Sequence, residues 1–304
     1  MPPTPLAAVP VGTRVAVEVP ATSANLGPGF DCFGLALDWR ELVEVEVDSD
    51  GVRVEVTGEG SERLPRDETH LVVRCVHIAL ADLGLRAPGL VLRSHNTIPH
   101  GRGLGSSSAA IVAGLLLARS LAGREPDPGW LLRHAAAIEG HPDNVAAAVY
   151  GGFVLAYGSG SELAVAQARV RPDVRAAVVV PDVPVETTAA RGLLPAVVPH
   201  ADAAADAGRA ALLVHALAED PDLLLPATDD WLHQRYREPA MPASYALVTR
   251  LRAAGYAAAI SGAGPTVLVL GTERSLEGLR EQLDPAATLK TSRVGDGARQ
   301  VAAD

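Results

Sequence analysis

Pro99-His100-Gly101-Arg102-Gly103-Leu104-Gly105-Ser106-Ser107-Ser108-Ala109 is the stretch whose reading decides the fold. Glycines at alternate positions let the backbone bend back and approach a ligand with no side chain in the way. The three serines open an apolar, alanine-rich run over residues 106–121 that reads as a helix. A helix N-terminus presents unpaired N–H groups and the positive end of a dipole, so it binds anions such as phosphate. A serine hydroxyl at that point also reaches a metal ion. The plainer reading of the same residues is a glycine-rich turn with a serine cap. The flanking sequence decides between the two.

Working outward, residues 14–20 (RVAVEVP), 42–48 and 52–57 alternate apolar and polar side chains and read as strands. Asp50-Gly51 between the last two reads as a hairpin turn. Residues 69–83 have helical periodicity and end at Gly84, and 90–94 form a strand entering the glycine-rich loop. Helices are expected over 130–139 and from Pro142, then a strand over 152–157. In the second half, 175–180, 256–260 and 266–270 read as strands, and 201–218, 243–254 and 274–283 as helices. Strands and helices mix in both halves, so the expected class is α+β, with two domains and a boundary where Gly, Ser and Pro gather at 158–172.

The chain has 304 residues, of which 48% are hydrophobic and 20% charged, which fits a globular protein rather than a disordered one. A formal net charge of -10 is at odds with a broad nucleic-acid surface. No run of about 18 apolar residues points to a membrane span, and the first dozen residues read as a loose tail without a secretory pattern. Cys32 and Cys75 lack metal-ligand spacing and read as buried, reduced thiols, which fits the cytosol. Lys290 is the only lysine. A Walker A loop requires a lysine after its second glycine, so a P-loop kinase is excluded, and a protein-kinase fold, which needs a strand lysine and an HRD-type loop, is disfavoured.

The 99–109 segment matches P-x-x-x-G-L-G-S-S-x-A throughout, and two more motifs accompany it: PATSANLGPGFD at 20–31 and SGAGPT at 261–266. On these residues, spanning nearly the whole chain, the sequence resembles the GHMP kinases. The resemblance implies a ribosomal-protein-S5-like N-terminal ATP-binding domain over residues 1–165 and a ferredoxin-like α/β-plait domain over 166–304. It also implies that Pro99, His100, Gly101, Arg102, Gly103, Leu104, Gly105, Ser106, Ser107, Ser108 and Ala109 form the ATP site. Where mevalonate kinases and their relatives carry a lysine soon after the first proline, this chain reads Ala21-Thr22-Ser23. The lysine-free form resembles the homoserine kinases within the superfamily.

That resemblance assigns expected roles residue by residue. Asn25 and Asp31 are expected at the substrate, although an Asx-turn and a helix cap are ordinary duties for such residues. Glu139-Gly140-His141-Pro142-Asp143-Asn144 matches a family segment. Glu139 is expected to join Ser107 in holding Mg²⁺, with His141, Asp143 and Asn144 facing the amino-acid substrate. Thr187 and Arg191, four residues apart on one helical face, match a further segment. Arg237, after Tyr236, is the better match to a second substrate arginine, with Arg235 close by. Arginines pair with a carboxylate by two parallel hydrogen bonds. Near the adenine, family members often carry an asparagine where this chain has His70.

The implied activity is transfer of the γ-phosphoryl group of ATP to the side-chain hydroxyl of L-homoserine, giving O-phospho-L-homoserine for threonine biosynthesis. Positioning and electrostatic stabilisation carry such a transfer. Asp31, Asn144 and Arg191 are the residues expected at the chemistry, Asp31 or Asn144 orienting the hydroxyl without a strong general base. A homodimer, no nucleic acid and no membrane complete the expectation. A GHMP kinase for another small hydroxylated substrate, or a non-catalytic protein of this fold, are the alternatives.

Overall fold

Two long antiparallel strands form the spine of the molecule, and the irregular junction between them delivers the first motif to the centre. The computed structural model describes residues 6–303. In chain order the elements are β1 (Ala7–Ala8), β2 (Arg14–Asn25), β3 (Gly29–Asp48), β4 (Gly51–Gly58), α1 (Leu71–Asp82), β5 (Leu85–Arg86) and β6 (Gly89–Asn96). Then come α2 (Ser106–Leu121), α3 (Pro128–Glu139), α4 (Asp143–Tyr150), β7 (Phe153–Tyr157), β8 (Ala164–Ala168) and β9 (Val174–Val180). The rest comprises α5 (Thr187–Gly192), α6 (His200–Ala218), α7 (Leu224–Ala227), α8 (Gln234–Arg237) and α9 (Pro242–Ala253). Strands β10 (Ala257–Ile260), β11 (Val267–Thr272), β12 (Thr288–Ser292) and β13 (Arg299–Val301) complete it.

Seven strands make the first sheet, in the order β13-β2-β3-β6-β4, with β7 also on β3 and β8 on β7. Helices α1 to α4 pack together, with α2 and α4 against β2 and β3. The second sheet is antiparallel, in the order β10-β11-β9-β12. Its strands alternate between two cores, as a period of two requires. Val174, Ala176 and Val178 of β9 join the large core, which also takes Leu213, Ala216 and Leu217 of α6. Ala177 and Val179 face a smaller core with Val248 and Leu251 of α9. The expected α+β class is what the chain adopts.

Three readings need correcting. Asp50-Gly51 makes a turn but no hairpin: β6 inserts between β3 and β4, antiparallel to one and parallel to the other. Gly89 pairs with both Asp48 and Gly51, so β6 starts inside the turn, where an added Cβ would lie 2.5 Å from the Asp50 carbonyl carbon. The dipeptide specified the reversal, and β6 satisfied the facing edges of both strands. Residues 274–283 form no long helix, only a 3₁₀ turn at Leu279–Gln282. Of the expected loose tail, residues 1–5 lie outside the described residues, but Ala7–Ala8 pair in parallel with Leu85–Arg86.

The domain division expected after residue 165 falls inside β8, which still belongs to the first sheet through β7. The chain also returns to that sheet at its end, where β13 pairs with β2. Both cysteines are free thiols, and burial pushes Cys75 up to about 12. No helix among the described residues is long and apolar enough to cross a membrane.

Candidate active site

The three motifs meet through short, buried hydrogen bonds. Thr22 N donates to Leu104 O at 3.0 Å, and Gly262 N donates to Ala24 O at 3.0 Å. The Ser23 and Ser261 hydroxyls bond to each other at 2.8 Å, and Ser261 Oγ also donates to Gly103 O at 2.6 Å. Such closeness dictates glycine: a Cβ on Gly103 would sit 2.3 Å from Ser261 O, and one on Gly105 would sit 1.9 Å from Thr22 Oγ1. Thr22, Ser23 and Ser261 belong to the motifs, and their part in joining them is visible only in the fold. The signal in the sequence is a polar run at the end of an otherwise apolar strand.

The β2–β3 junction holds Asn25, Leu26 and Asp31 at φ values of 66°, 53° and 54°, the non-glycine residues of the described chain with positive φ. Such backbone is held only where its surroundings over-determine it. Asn25 does part of this, donating from Nδ2 to Gly262 O at 2.9 Å and accepting from Asp31 N at 3.0 Å. Its amide therefore shapes the turn while its edge lines a cavity.

That cavity is polar, of about 80 Å³, and receives Asn25, Asp31, Glu139, His141, Asp143, Asn144, Thr187, Arg191 and Arg237. Sequence positions more than 200 residues apart thus reach one site. Gly101, Gly103, Gly105, Ser106 and Ser107 of the loop line it too. The N-cap of α2 is Gly105, in the left-handed conformation, rather than a serine. The serines are freed from capping, and Ser107 Oγ and Ser108 Oγ donate to Glu139 Oε1 at 2.6 and 2.9 Å. Two hydroxyls and a carboxylate thus stand at the positive end of a sixteen-residue helix. These are hard oxygen donors, the kind Mg²⁺ selects. Among the described residues no cluster of three or more His, Cys, Asp or Glu is arranged to hold a metal alone. A metal here would complete its shell with phosphate oxygens and water, as Mg²⁺ commonly does.

Gly140 ends α3 at φ 87°, turning His141 and Pro142 towards the start of α4. His141 Nδ1 and Asp143 Oδ1 are 3.1 Å apart, and this bond raises the imidazole pKa against the opposing effect of burial. Asn144 takes a bond from Thr22 Oγ1 to its Oδ1 at 2.8 Å, which fixes the amide and leaves its NH₂ end for a ligand.

The arginines behave differently from one another. Arg191 forks onto Asp31, Nη1 to Oδ2 at 2.8 Å and Nη2 to Oδ1 at 2.7 Å. The two residues expected to meet opposite ends of a zwitterion here hold each other. Arg237 is 2% exposed, and its Nε has no hydrogen-bond partner among the described residues. Its Nη1 donates to Gly262 O at 3.2 Å. Desolvation, and then the nearby Arg191, lower its pKa. A buried, under-satisfied guanidinium invites an anion. Arg235 instead binds Asp202 at 2.5 Å and the Tyr236 hydroxyl at 2.7 Å, outside the cavity.

The loop also borders a larger, mainly apolar cavity of about 630 Å³, reached by His100, Gly101, Ser106 and Ser107. Its wall includes Glu41, His70 and Ser94, all buried. His70 Nδ1 and Ser94 Oγ lack partners among the described residues. Leu104 and Ala109 are buried beneath the loop rather than presented to either cavity. Arg102 is turned away: Nε donates to Pro181 O at 2.8 Å, Nη1 to His100 O at 3.0 Å, and Nη2 to Asp182 O. It straps the loop to the segment after β9. Pro99 sets the loop's entry and lines neither cavity.

Comparison with known proteins shows the family. A family model described as the GHMP kinases N terminal domain matches residues 70–152, and one described as GHMP kinases C terminal matches residues 203–287. The homoserine kinase of Streptomyces coelicolor is 57% identical over 262 residues, 84% of this chain and 84% of that protein. That of Streptomyces avermitilis is 55% identical over 267 residues, covering 86% and 87%. Among solved structures, homoserine kinase from Cytophaga hutchinsonii aligns with a TM-score of 0.83 at 30% identity, covering 95% of this chain and 97% of that one.

Proposed function

This chain belongs to the GHMP kinases, among the homoserine kinases, and we propose that its two cavities divide ATP and L-homoserine between them. It is an ATP-dependent small-molecule kinase, moving the γ-phosphoryl group to the side-chain hydroxyl of homoserine. The observation that carries the division of labour is the polar cavity itself. It sets the under-satisfied Arg237 beside Asp31, Asp143 and Arg191, a charge pattern complementary to a small zwitterion.

The homoserine carboxylate meets Arg237 and one arm of Arg191, while Asp31 takes the ammonium. Binding therefore replaces the Asp31–Arg191 fork with two intermolecular pairs, at little cost in unpaired charge. His141 is held through Asp143, and Asn144 orients the attacking hydroxyl with the NH₂ end that Thr22 leaves available. The larger cavity takes the nucleoside, with the phosphates along the loop amides at the start of α2. Glu139 and Ser107 would hold Mg²⁺, which would supply neutralisation of charge on the phosphates.

The hydroxyl oxygen attacks the γ-phosphorus as the bond to the bridging oxygen of ADP breaks, and the hydroxyl proton leaves to a phosphate oxygen or water. With its carboxylate engaged by the substrate ammonium, Asp31 is not free to take the hydroxyl proton. In a loose transition state the nucleophile needs orientation more than deprotonation, which is what Asn144 supplies.

The test is ATP consumption with Mg²⁺ against homoserine and mevalonate. Turnover of homoserine is expected, and turnover of mevalonate alone would sink the substrate assignment. In the same assay Glu139→Ala should lose roughly 10²–10³-fold in kcat/KM with its circular dichroism unchanged. Undiminished turnover would remove Glu139 from the metal site.

A further inference from the structure

Phe30 lies between the strained Asn25–Leu26 pair and Asp31, half-buried, and does not line the polar cavity. Nevertheless both guanidiniums of that cavity stand over its ring, Arg191 at 5.5 Å and Arg237 at 5.2 Å from the centroid. His233 stacks on the same ring at 5.2 Å with an interplanar angle of 29°. No other aromatic ring in the described residues gathers two arginines.

From this convergence we infer that Phe30 is a positioning residue for homoserine: its π face holds Arg191 and Arg237 together, aimed at one carboxylate. The inference rests on the substrate reading given above. Two guanidiniums near each other repel, and Arg237 lies in a desolvated setting where water screens little. A ring quadrupole attracts both cations and adds no charge that the substrate would have to displace. His233 completes the support. It is fully buried, which lowers its pKa, and the Arg237 guanidinium beside Nδ1 can only donate, so Nδ1 carries no proton. Nε2 lies 2.9 Å from Gly27 O, a carbonyl that only accepts, so Nε2 carries the proton. Nδ1 is therefore an acceptor for Arg237 Nη1 at 3.4 Å. Gly27, His233, Phe30 and Arg237 thus form one chain of contacts that runs from the β2–β3 junction to the cavity wall.

Leucine would fill much of the same volume but offers no ring face, which separates positioning from packing. Phe30→Leu should raise KM for homoserine roughly tenfold while KM for ATP stays within about twofold, and Phe30→Tyr should restore most of the loss. The analogue with CH₂OH in place of the carboxylate should be a weak substrate for the unsubstituted chain, with little further loss in Phe30→Leu. Replacing Phe30 by progressively fluorinated phenylalanines keeps the shape and drains the π face, so KM for homoserine should climb along the series even if the leucine variant misfolds. An unchanged KM for homoserine in that series, or an equal rise for ATP and homoserine, would overturn the role of Phe30. Failure of the unsubstituted chain to phosphorylate homoserine would overturn the substrate reading on which it rests.

Discussion

Glu41 shows what a single buried group does to the whole. It is 6% exposed in the wall of the larger cavity, where Oε1 accepts from Thr97 N at 3.1 Å and Ile98 N at 2.8 Å. Burial pushes its pKa up from 4.5 to about 7, against the lowering effect of those two bonds. The folded state therefore binds this proton more tightly than the unfolded one. The resulting stability is complete below the unfolded value near 4.5 and is lost as pH rises through about 7. Glutamine keeps an acceptor for both N–H groups without ionising. Glu41→Gln should accordingly gain thermal stability over the parent on going from pH 5 to pH 8, by up to about 3 kcal/mol. A Tm difference that stays flat across that range would show that Glu41 is already charged at low cost.

At the scale of elements, the loop and α2 act as one unit because two distant segments of chain touch it. Ser261 and Gly262 meet it from the turn before β11, and Thr22 from β2, so its backbone has no room to shift. Gly103→Ala would place a methyl 2.3 Å from Ser261 O at a φ of 73°, doubly disfavoured. The expected result is a rise of about tenfold or more in the dissociation constant for ATP and a fall in Tm, read by calorimetry. Unaltered ATP binding would mean that the loop adapts freely and that the contact with Ser261 is incidental. The helix behind it owes its start to Gly105, which left Ser107 and Ser108 available to Glu139. The serine-cap expectation failed here because a left-handed glycine made a side-chain cap unnecessary.

For the whole molecule, the decisive connection is the return of the C-terminal segment to the first sheet. Beyond the β13–β2 pairing, Gly295 N donates to Ala36 O, Asp38 N to Arg293 O and Ala298 N to Ala148 O. Removing residues 293–304 should expose the edge of β2 and lower Tm by roughly 5–10 °C, in a transition that still involves both sheets together. Two well-separated transitions, or no loss, would show that the halves are independent. The sequence by itself determined the α+β class and most of the helices, because periodicity and turn chemistry are local and survive in a string of letters, while its three motifs carried the resemblance to the family. The ends of elements near Gly84 and Gly140 were legible for the same reason. What only the tertiary structure decided is non-local: β6 inserted between β3 and β4, Arg102 tied to carbonyls of the 181–182 segment, and Arg191 folded onto Asp31. Arg235 and Arg237, two residues apart, were separated into a surface pair and a buried cavity wall by packing alone. Hydrogen-bond partners and burial depend on which distant segments meet, and that is settled by how sheets, helices and edges satisfy one another in space.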